Sequence, residues 1–408
     1  MTRTRFGHSA WARELPAGLR PKAYRDPLPD RIDVLVVGAG LTGCFTAWAV
    51  ASLSPKRRVV LIDAGRVGGG AASSGASGFT ALALLEDYRE LEHRHGRRVA
   101  RALMEGVGAA TSQLAAHLKR ARVKADIAAR PALRLAPAVD AAAVAREQRA
   151  RDEAGLASAV LAGQPFARAS RAEDVAVALK VAGLGLGDPA RILAAVVRRR
   201  AAGVRIVERA EVTALEHDKT GTRAQIGARE LLAGTAVLCT GAPPALVRAL
   251  QRHVHVTHRY TVRTAPLGAD ARKALALADT VTGHGPSSLL LTGLDDHRLL
   301  LTGGDQPAVA PRDEAAALTQ RTGQLMYECL RLYPAIAGLQ PTEAWISPVA
   351  AAADGWPVVG AHRSFPHHLF AFGADHDPAL ALLASGLLAR AVSGTAHKAD
   401  DVFGFGRL

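Results

Sequence analysis

An α/β fold built on a buried parallel sheet is predicted for this 408-residue chain by three adjoining features. Residues 32–37 form an apolar, largely β-branched run of the kind that fills a fully buried parallel strand. A turn with three glycines, Gly38-Ala39-Gly40-Leu41-Thr42-Gly43, leaves that run and opens a helix of small residues over 44–53. A second buried strand, 59–62, then ends on Asp63.

The remaining elements follow from pattern and punctuation. Residues 1–30 hold Pro16, Pro21, Pro27 and Pro29 and read as an irregular lead-in strap. Residues 68–78 are a loop rich in Gly, Ala and Ser, and 82–95 and 97–120 read as helices. A strand pair is expected over 121–140 and a helix over 144–154. Residues 183–188 form a turn, and Asp188 caps a helix over 189–202 with Pro189 at its first position. Short strands follow at 204–208, 211–216 and 223–226. A third buried strand, 235–239, runs into Thr240-Gly241. Segments 258–264, 288–292 and 299–302 alternate as an antiparallel sheet does. A helix over 311–332, an apolar strand over 369–372 and a helix over 378–392 complete the chain.

The glycine turn is the most specific signal. A lone GxGxxG says little. This one leaves a buried strand, opens a helix, and is followed 20 residues after Gly43 by an acid at the next strand end. That is the full context of a dinucleotide-binding turn. Gly38 permits the tight turn, Gly40 the approach of a pyrophosphate, and Gly43 close packing of helix on strand. The helix N-terminus that follows offers free N–H groups to phosphates, and Leu41 and Thr42 count with the glycines among the expected cofactor-binding residues. Asp63 is expected to accept hydrogen bonds from ribose hydroxyls. None of this chooses between NAD and FAD.

The next segment does. Asp63-Ala64-Gly65-Arg66, then Gly68-Gly69-Gly70-Ala71-Ala72-Ser73-Ser74-Gly75-Ala76-Ser77-Gly78, resembles the D-amino-acid-oxidase (DAO) superfamily of FAD-dependent oxidoreductases. Glycine, sarcosine and γ-glutamylputrescine oxidases belong to that group. The resemblance implies a loop that wraps the FAD pyrophosphate and ribityl chain, with Ala72 and Ser73 as the family's Ala-Ser pair. It extends over nearly the whole chain. Gly187-Asp188-Pro189-Ala190-Arg191 looks like the return from substrate domain to FAD domain. Val212 falls where a backbone pair holds the adenine, and Thr240 and Gly241 where the third strand ends under the cofactor. Trp345 and Asp354-Gly355-Trp356-Pro357-Val358-Val359-Gly360 look like the turn above the flavin, and Gly373 like the start of the flavin-facing loop. Even Ser9-Ala10-Trp11 resembles the N-terminus of the γ-glutamylputrescine oxidase type.

Within this frame His376 and Asp375 are the candidate catalytic residues beside the isoalloxazine. Asp377 and Pro378 fit the N-cap and first position of a helix whose N-terminus would stabilise a reduced, anionic flavin. Several positions depart from the family. The carboxylates of Asp375 and Asp377 oppose negative charge on the ring, which a protonated His376 would offset. Val349 stands where amino-acid oxidases carry the arginine that clamps a substrate carboxylate. Gly75 and Ala76 replace the usual Arg and Asn. No cysteine follows Trp345, so FAD is expected to be held non-covalently. Arg259, Tyr260 and Arg263 lie on a predicted strand, as a solvated face or as a surface for an anionic substrate.

Bulk properties narrow the field. The formal net charge is +14, but the basic residues are dispersed, and the runs Lys56-Arg57-Arg58 and Arg198-Arg199-Arg200 carry no interleaved aromatics. Nucleic-acid binding is therefore not expected. His253, His255 and His258 have no fourth ligand in sight, and Cys44, Cys239 and Cys329 are far apart, so no metal site is expected. Free thiols and the lack of a signal-peptide or membrane-spanning run point to the cytoplasm.

The sequence thus predicts a discontinuous Rossmann-type FAD-binding domain over 1–95, 187–245 and 335–408. An α+β substrate domain on an antiparallel sheet is inserted over 96–186 and 246–334. The implied reaction is oxidation of the C–N bond of a small amine or amino acid, with oxygen or another acceptor taking the electrons. A dehydrogenase of the same fold and a non-catalytic flavin-binding scaffold with a protein partner are the alternatives.

Overall fold

The computed structural model describes residues 4–20, 23–120, 122, 127–198, 203–219, 221–275, 280–282 and 288–408. Residues 121 and 123–126 of the expected strand pair, and 199–202 of the expected helix with Arg199 and Arg200, lie outside the described residues. So do residues 1–3, 21 and 22 of the lead-in.

One sheet is laid down by the glycine-turn unit. Val204–Val207, Val59–Ile62, Arg31–Val37 and Arg229–Gly241 run side by side and parallel. Phe365–Phe372 joins Arg229–Gly241, also parallel, and pairs with Val358–His362. Alternate side chains leave a strand on opposite faces. Val34 and Val36 enter a core with Ala47, Val50 and Leu388 from the helices Leu41–Leu53 and Pro378–Ser393. Leu35 and Val37 enter a second core with Leu238, Phe370 and Phe372. Burial on both faces is why these strands show apolar runs with little alternation. The three buried cysteines are free, Cys44 and Cys239 lying in the first core.

A nine-stranded sheet forms the other half. Its order is Arg5–Gly7, Pro341–Ala352, Val254–Thr264, Leu299–Pro307, Leu290–Gly293, Thr280–Thr282, Ala132–Ala136, Val177–Val181 and Ser158–Ala162. Most neighbours are antiparallel, and the helix Glu314–Leu332 covers one face through Leu318, Leu325 and Cys329. Because Arg5–Gly7 and Pro341–Ala352 pair in this sheet, the boundaries 1–95 and 335–408 drawn from sequence cut through it.

Two expectations are corrected, and two strands are added. The lead-in is not wholly irregular, since its prolines begin only after a helix, Ala10–Glu14, that Ser9 caps through the Ala12 N–H. The expected helix over 82–95 is two pieces. Leu82–Leu85 is a 3₁₀ turn, and Asp87 starts Tyr88–His95 afresh by accepting the Glu90 N–H at 3.1 Å. An interior Asp that caps outcompetes the apolar periodicity around it. Strands Ser158–Ala162 and Val177–Val181 were unread because short, Ala-rich apolar runs carry no period. No helix among the described residues is long and apolar enough to cross a membrane.

Helix and turn touch at Gly43, where a Cβ would lie 1.8 Å from the Gly38 carbonyl oxygen. Gly43→Ala is expected to destabilise the protein by about 1–3 kcal/mol through overpacking against backbone. Urea unfolding measures this, and a loss below about 0.5 kcal/mol would show that the turn yields.

Candidate active site

The parallel strands end together at the glycine turn. Gly38 has φ +100, and a Cβ there would meet the Cys239 carbonyl at 2.3 Å. A cavity of about 380 Å³ opens beyond it. Gly38, Gly40, Asp63 and Ala64 line its floor. Ala72 and Ser73 come from the Gly-Ala-Ser loop, Val212 from the neighbouring strand, and Thr240 and Gly241 from the end of Arg229–Gly241. Gly373, Asp375 and His376 close it from the loop before the last helix.

Other expected cofactor residues stand behind this wall. The Ala39 N–H donates to Asp63 Oδ2 at 2.7 Å, and Asp63 Oδ1 accepts the Gly65 N–H at 2.7 Å. The Leu41 N–H donates to Ser73 Oγ at 2.9 Å, and the Thr42 N–H to Asp375 Oδ1 at 3.2 Å. Gly43 packs on the turn itself. Arg66 is exposed, its carbonyl closing a tight turn with the Gly69 N–H.

The Gly-Ala-Ser loop is pinned from outside. The Trp345 Nε1–H donates to the Gly75 carbonyl at 2.8 Å, and the Trp11 Nε1–H to the Ser77 carbonyl at 3.1 Å. Ser9 Oγ donates to the Ser74 carbonyl. Ser9 and Trp11 thus tie the N-terminal segment to the loop.

A second, larger cavity of about 1020 Å³ meets the first at Gly373 and His376. In its wall Arg259 grips Asp305 through a fork. Nε lies 2.9 Å from Oδ1 and Nη2 2.6 Å from Oδ2, which leaves the Nη1 edge outside the pair. Val349 lines the same cavity, on the strand beside Arg259. Tyr260 and Arg263 do not line it. The Tyr260 hydroxyl accepts from Gln306, and Arg263 pairs with Glu14 and Glu343.

The two candidate catalytic residues share the smaller cavity, but of the two only His376 also lines the larger one. His376 is half-buried at the junction of the cavities. Burial, then the Arg259 charge, lowers its pKa to about 3, so it is neutral at pH 7 and does not offset the nearby carboxylates. Asp375 faces the glycine turn instead and lines only the smaller cavity. Asp377 lines neither. It is buried and caps the last helix through the Ala379 and Leu380 N–H groups, while its other oxygen accepts from Ala81 and Leu82.

Sequence reading missed Glu86 and Asp305. Glu86 lines the larger cavity, and Oε2 accepts the Trp356 Nε1–H at 3.1 Å. A glutamate just before a charged helix reads as surface. Its placement comes from a buried Arg151–Glu147 pair, in which Arg151 holds the Leu84 and Glu86 carbonyls and Glu147 accepts the Tyr88 N–H.

The described residues fit a dinucleotide. Two glycines face the cavity where any side chain would collide, and it opens on a helix N-terminus beside an acidic strand end. The family model for FAD-dependent oxidoreductases, DAO, matches residues 33–391. The chain belongs to the DAO family. Members are FAD-dependent oxidoreductases, and FAD is the cofactor of this chain. The glycine oxidase from Geobacillus kaustophilus superposes with a TM-score of 0.68 at 21% identity, over 91% of this chain and 96% of that one. An L-amino acid deaminase from Proteus vulgaris, lacking its specific insertion, gives 0.75 at 16% identity, over 97% and 100%. The FAD-bound L-α-glycerophosphate oxidase from Mycoplasma pneumoniae gives 0.66 at 15%, over 90% and 95%. At these identities the likeness is one of fold. None of the curated proteins searched matches the chain.

Burial raises the Glu86 carboxyl from 4.5 to about 7. As pH rises through this window the unfolded chain ionises first, so the folded state loses stability relative to a variant that cannot ionise. Glu86→Gln should therefore gain on the wild type between about pH 5 and about pH 7 and hold its lead above that. Parallel urea curves over that range would refute the shift.

Proposed function

We propose that the protein oxidises the C–N bond of a small amino acid or amine to an imine, which water then hydrolyses. The observation that carries this reading is the charged Arg259–Asp305 fork in the wall of a large cavity that meets the cofactor cavity at His376. Val349 removes the family's usual arginine from one strand. Arg259 supplies a guanidinium from the next strand, where it pairs in register with Ser347, two residues before Val349. Its Nη1 edge is the group to which a substrate carboxylate would dock.

When bound, FAD supplies the acceptor for a hydride equivalent from the substrate carbon. The substrate nitrogen must also shed protons before an imine can form. Neutral His376, with its pKa near 3, is a poor base but a sound hydrogen-bonding partner at the junction. Glu86 changes protonation near neutral pH in the same cavity and is suited to take the ammonium proton. Trp356 orients Glu86 by donating to one of its oxygens.

The test is anaerobic titration of the flavin-loaded protein with a panel of amino acids and amines, read as bleaching of the flavin absorbance. Amino acids should bleach it, and Arg259→Met should weaken their binding by about 30-fold or more while FAD stays bound. Flavin that no amine or amino acid reduces would end the reading. The rate at which oxygen reoxidises the reduced protein separates an oxidase from a dehydrogenase.

A further inference from the structure

We infer that Asp375 is an internal anion seated on the pyrophosphate site, so that FAD binds this chain together with a proton. The geometry is direct. Asp375 Oδ1 accepts the Thr42 N–H at 3.2 Å, in the first turn of the helix Leu41–Leu53. The same oxygen lies 3.4 Å from Ser73 Oγ and only 2.5 Å from where a Cβ on Gly40 would stand. The residue that permits close approach of a pyrophosphate thus faces a carboxylate. Asp375 is 4% exposed, and its second oxygen, Oδ2, is buried without a hydrogen-bond partner and borders the cofactor cavity.

The surroundings do not neutralise this charge. Asp63 adds a second negative group, across the glycine turn. Cys44 on the helix and Cys239 on the strand Arg229–Gly241 are thiols that burial keeps protonated. His376, next in the chain, is uncharged near pH 7, and the Asp377 carboxylate is turned to its own four N–H donors. Burial foremost pushes the Asp375 carboxyl up to about 6, against the lowering pull of the Thr42 N–H, the Thr42 side chain and the Ser73 hydroxyl and with a smaller push from Asp63. A pyrophosphate seated against Gly40 would bring two further negative charges close to this carboxylate. Protonating Asp375 removes the repulsion and turns Oδ2 from a bare acceptor into a donor.

The test is the affinity of the full chain, stripped of FAD, for FAD from about pH 5 to about pH 8, read by flavin fluorescence and independent of any substrate. One linked proton makes Kd rise about tenfold per pH unit above about pH 6, and Asp375→Asn should bind FAD with little pH dependence and more tightly at about pH 8. Calorimetry of the wild type in two buffers of different ionisation enthalpy near pH 7 should show uptake of about one proton per FAD. That measurement decides the matter if the variant does not fold. A flat Kd in the wild type, no proton uptake, or an unchanged slope in Asp375→Asn would overturn the inference.

Discussion

Asp377 is the contact on which the rest of the site depends. One oxygen caps the last helix, and the other accepts the N–H groups of Ala81 and Leu82. Ala81 is fully buried with φ +61, a conformation that a residue with a Cβ adopts at a cost. The carboxylate therefore joins the loop before the last helix to the start of the segment that walls the larger cavity. Remove that bond and both His376, one residue before the cap, and Leu82–Glu86 lose their common anchor. A buried carboxyl with four N–H partners is a structural acid, even though burial pushes it up to about 6.

Much of this was legible in sequence because it is local. The glycine turn, the strand ending at Asp63, the Asp188 cap and the Asp377-Pro378 helix start each need only a few consecutive residues to be recognised. Asp188 Oδ1 does accept the Ala190 and Arg191 N–H groups, and the Pro378–Ser393 helix begins where read. The placement of Glu86, Asp305 and Arg259 was not legible in the same way. Each is set by partners far along the chain. Arg259 meets Asp305 across 46 residues, and Glu86 meets Trp356 across 270. No periodicity carries such information. The different placement of Asp375 and His376 was also beyond a linear reading. The two sit in a turn that the Asp377 N–H closes on the Ala374 carbonyl, and only the fold shows that both line the smaller cavity while His376 alone also lines the larger.

The larger cavity has a charged group and an apolar one on adjacent strands of its wall. The strands Val254–Thr264 and Pro341–Ala352 are neighbours, with Thr257 opposite Val349 and Arg259 opposite Ser347. On the proposed reading the cation in this wall comes from Arg259, on the strand next to Val349 in the same sheet. Arg259 is paired with Asp305, so its charge is partly spent inside the protein. A guanidinium held this way is oriented rather than free, which favours directional contact through its remaining edge over general attraction.

The loop 375–377 then divides three polar residues among three tasks by burial and hydrogen bonding alone. Asp377 has four N–H donors, and its charge is fully satisfied by backbone. His376 has lost its charge to burial beside Arg259 and sits where the two cavities join. Asp375 has a backbone N–H and a hydroxyl on one oxygen and nothing on the other. An oxygen in that condition costs free energy for as long as it stays ionised and unpaired. The cost falls when a proton or a ligand group reaches it, and Gly40, whose missing Cβ would stand against Asp375, leaves room on that side.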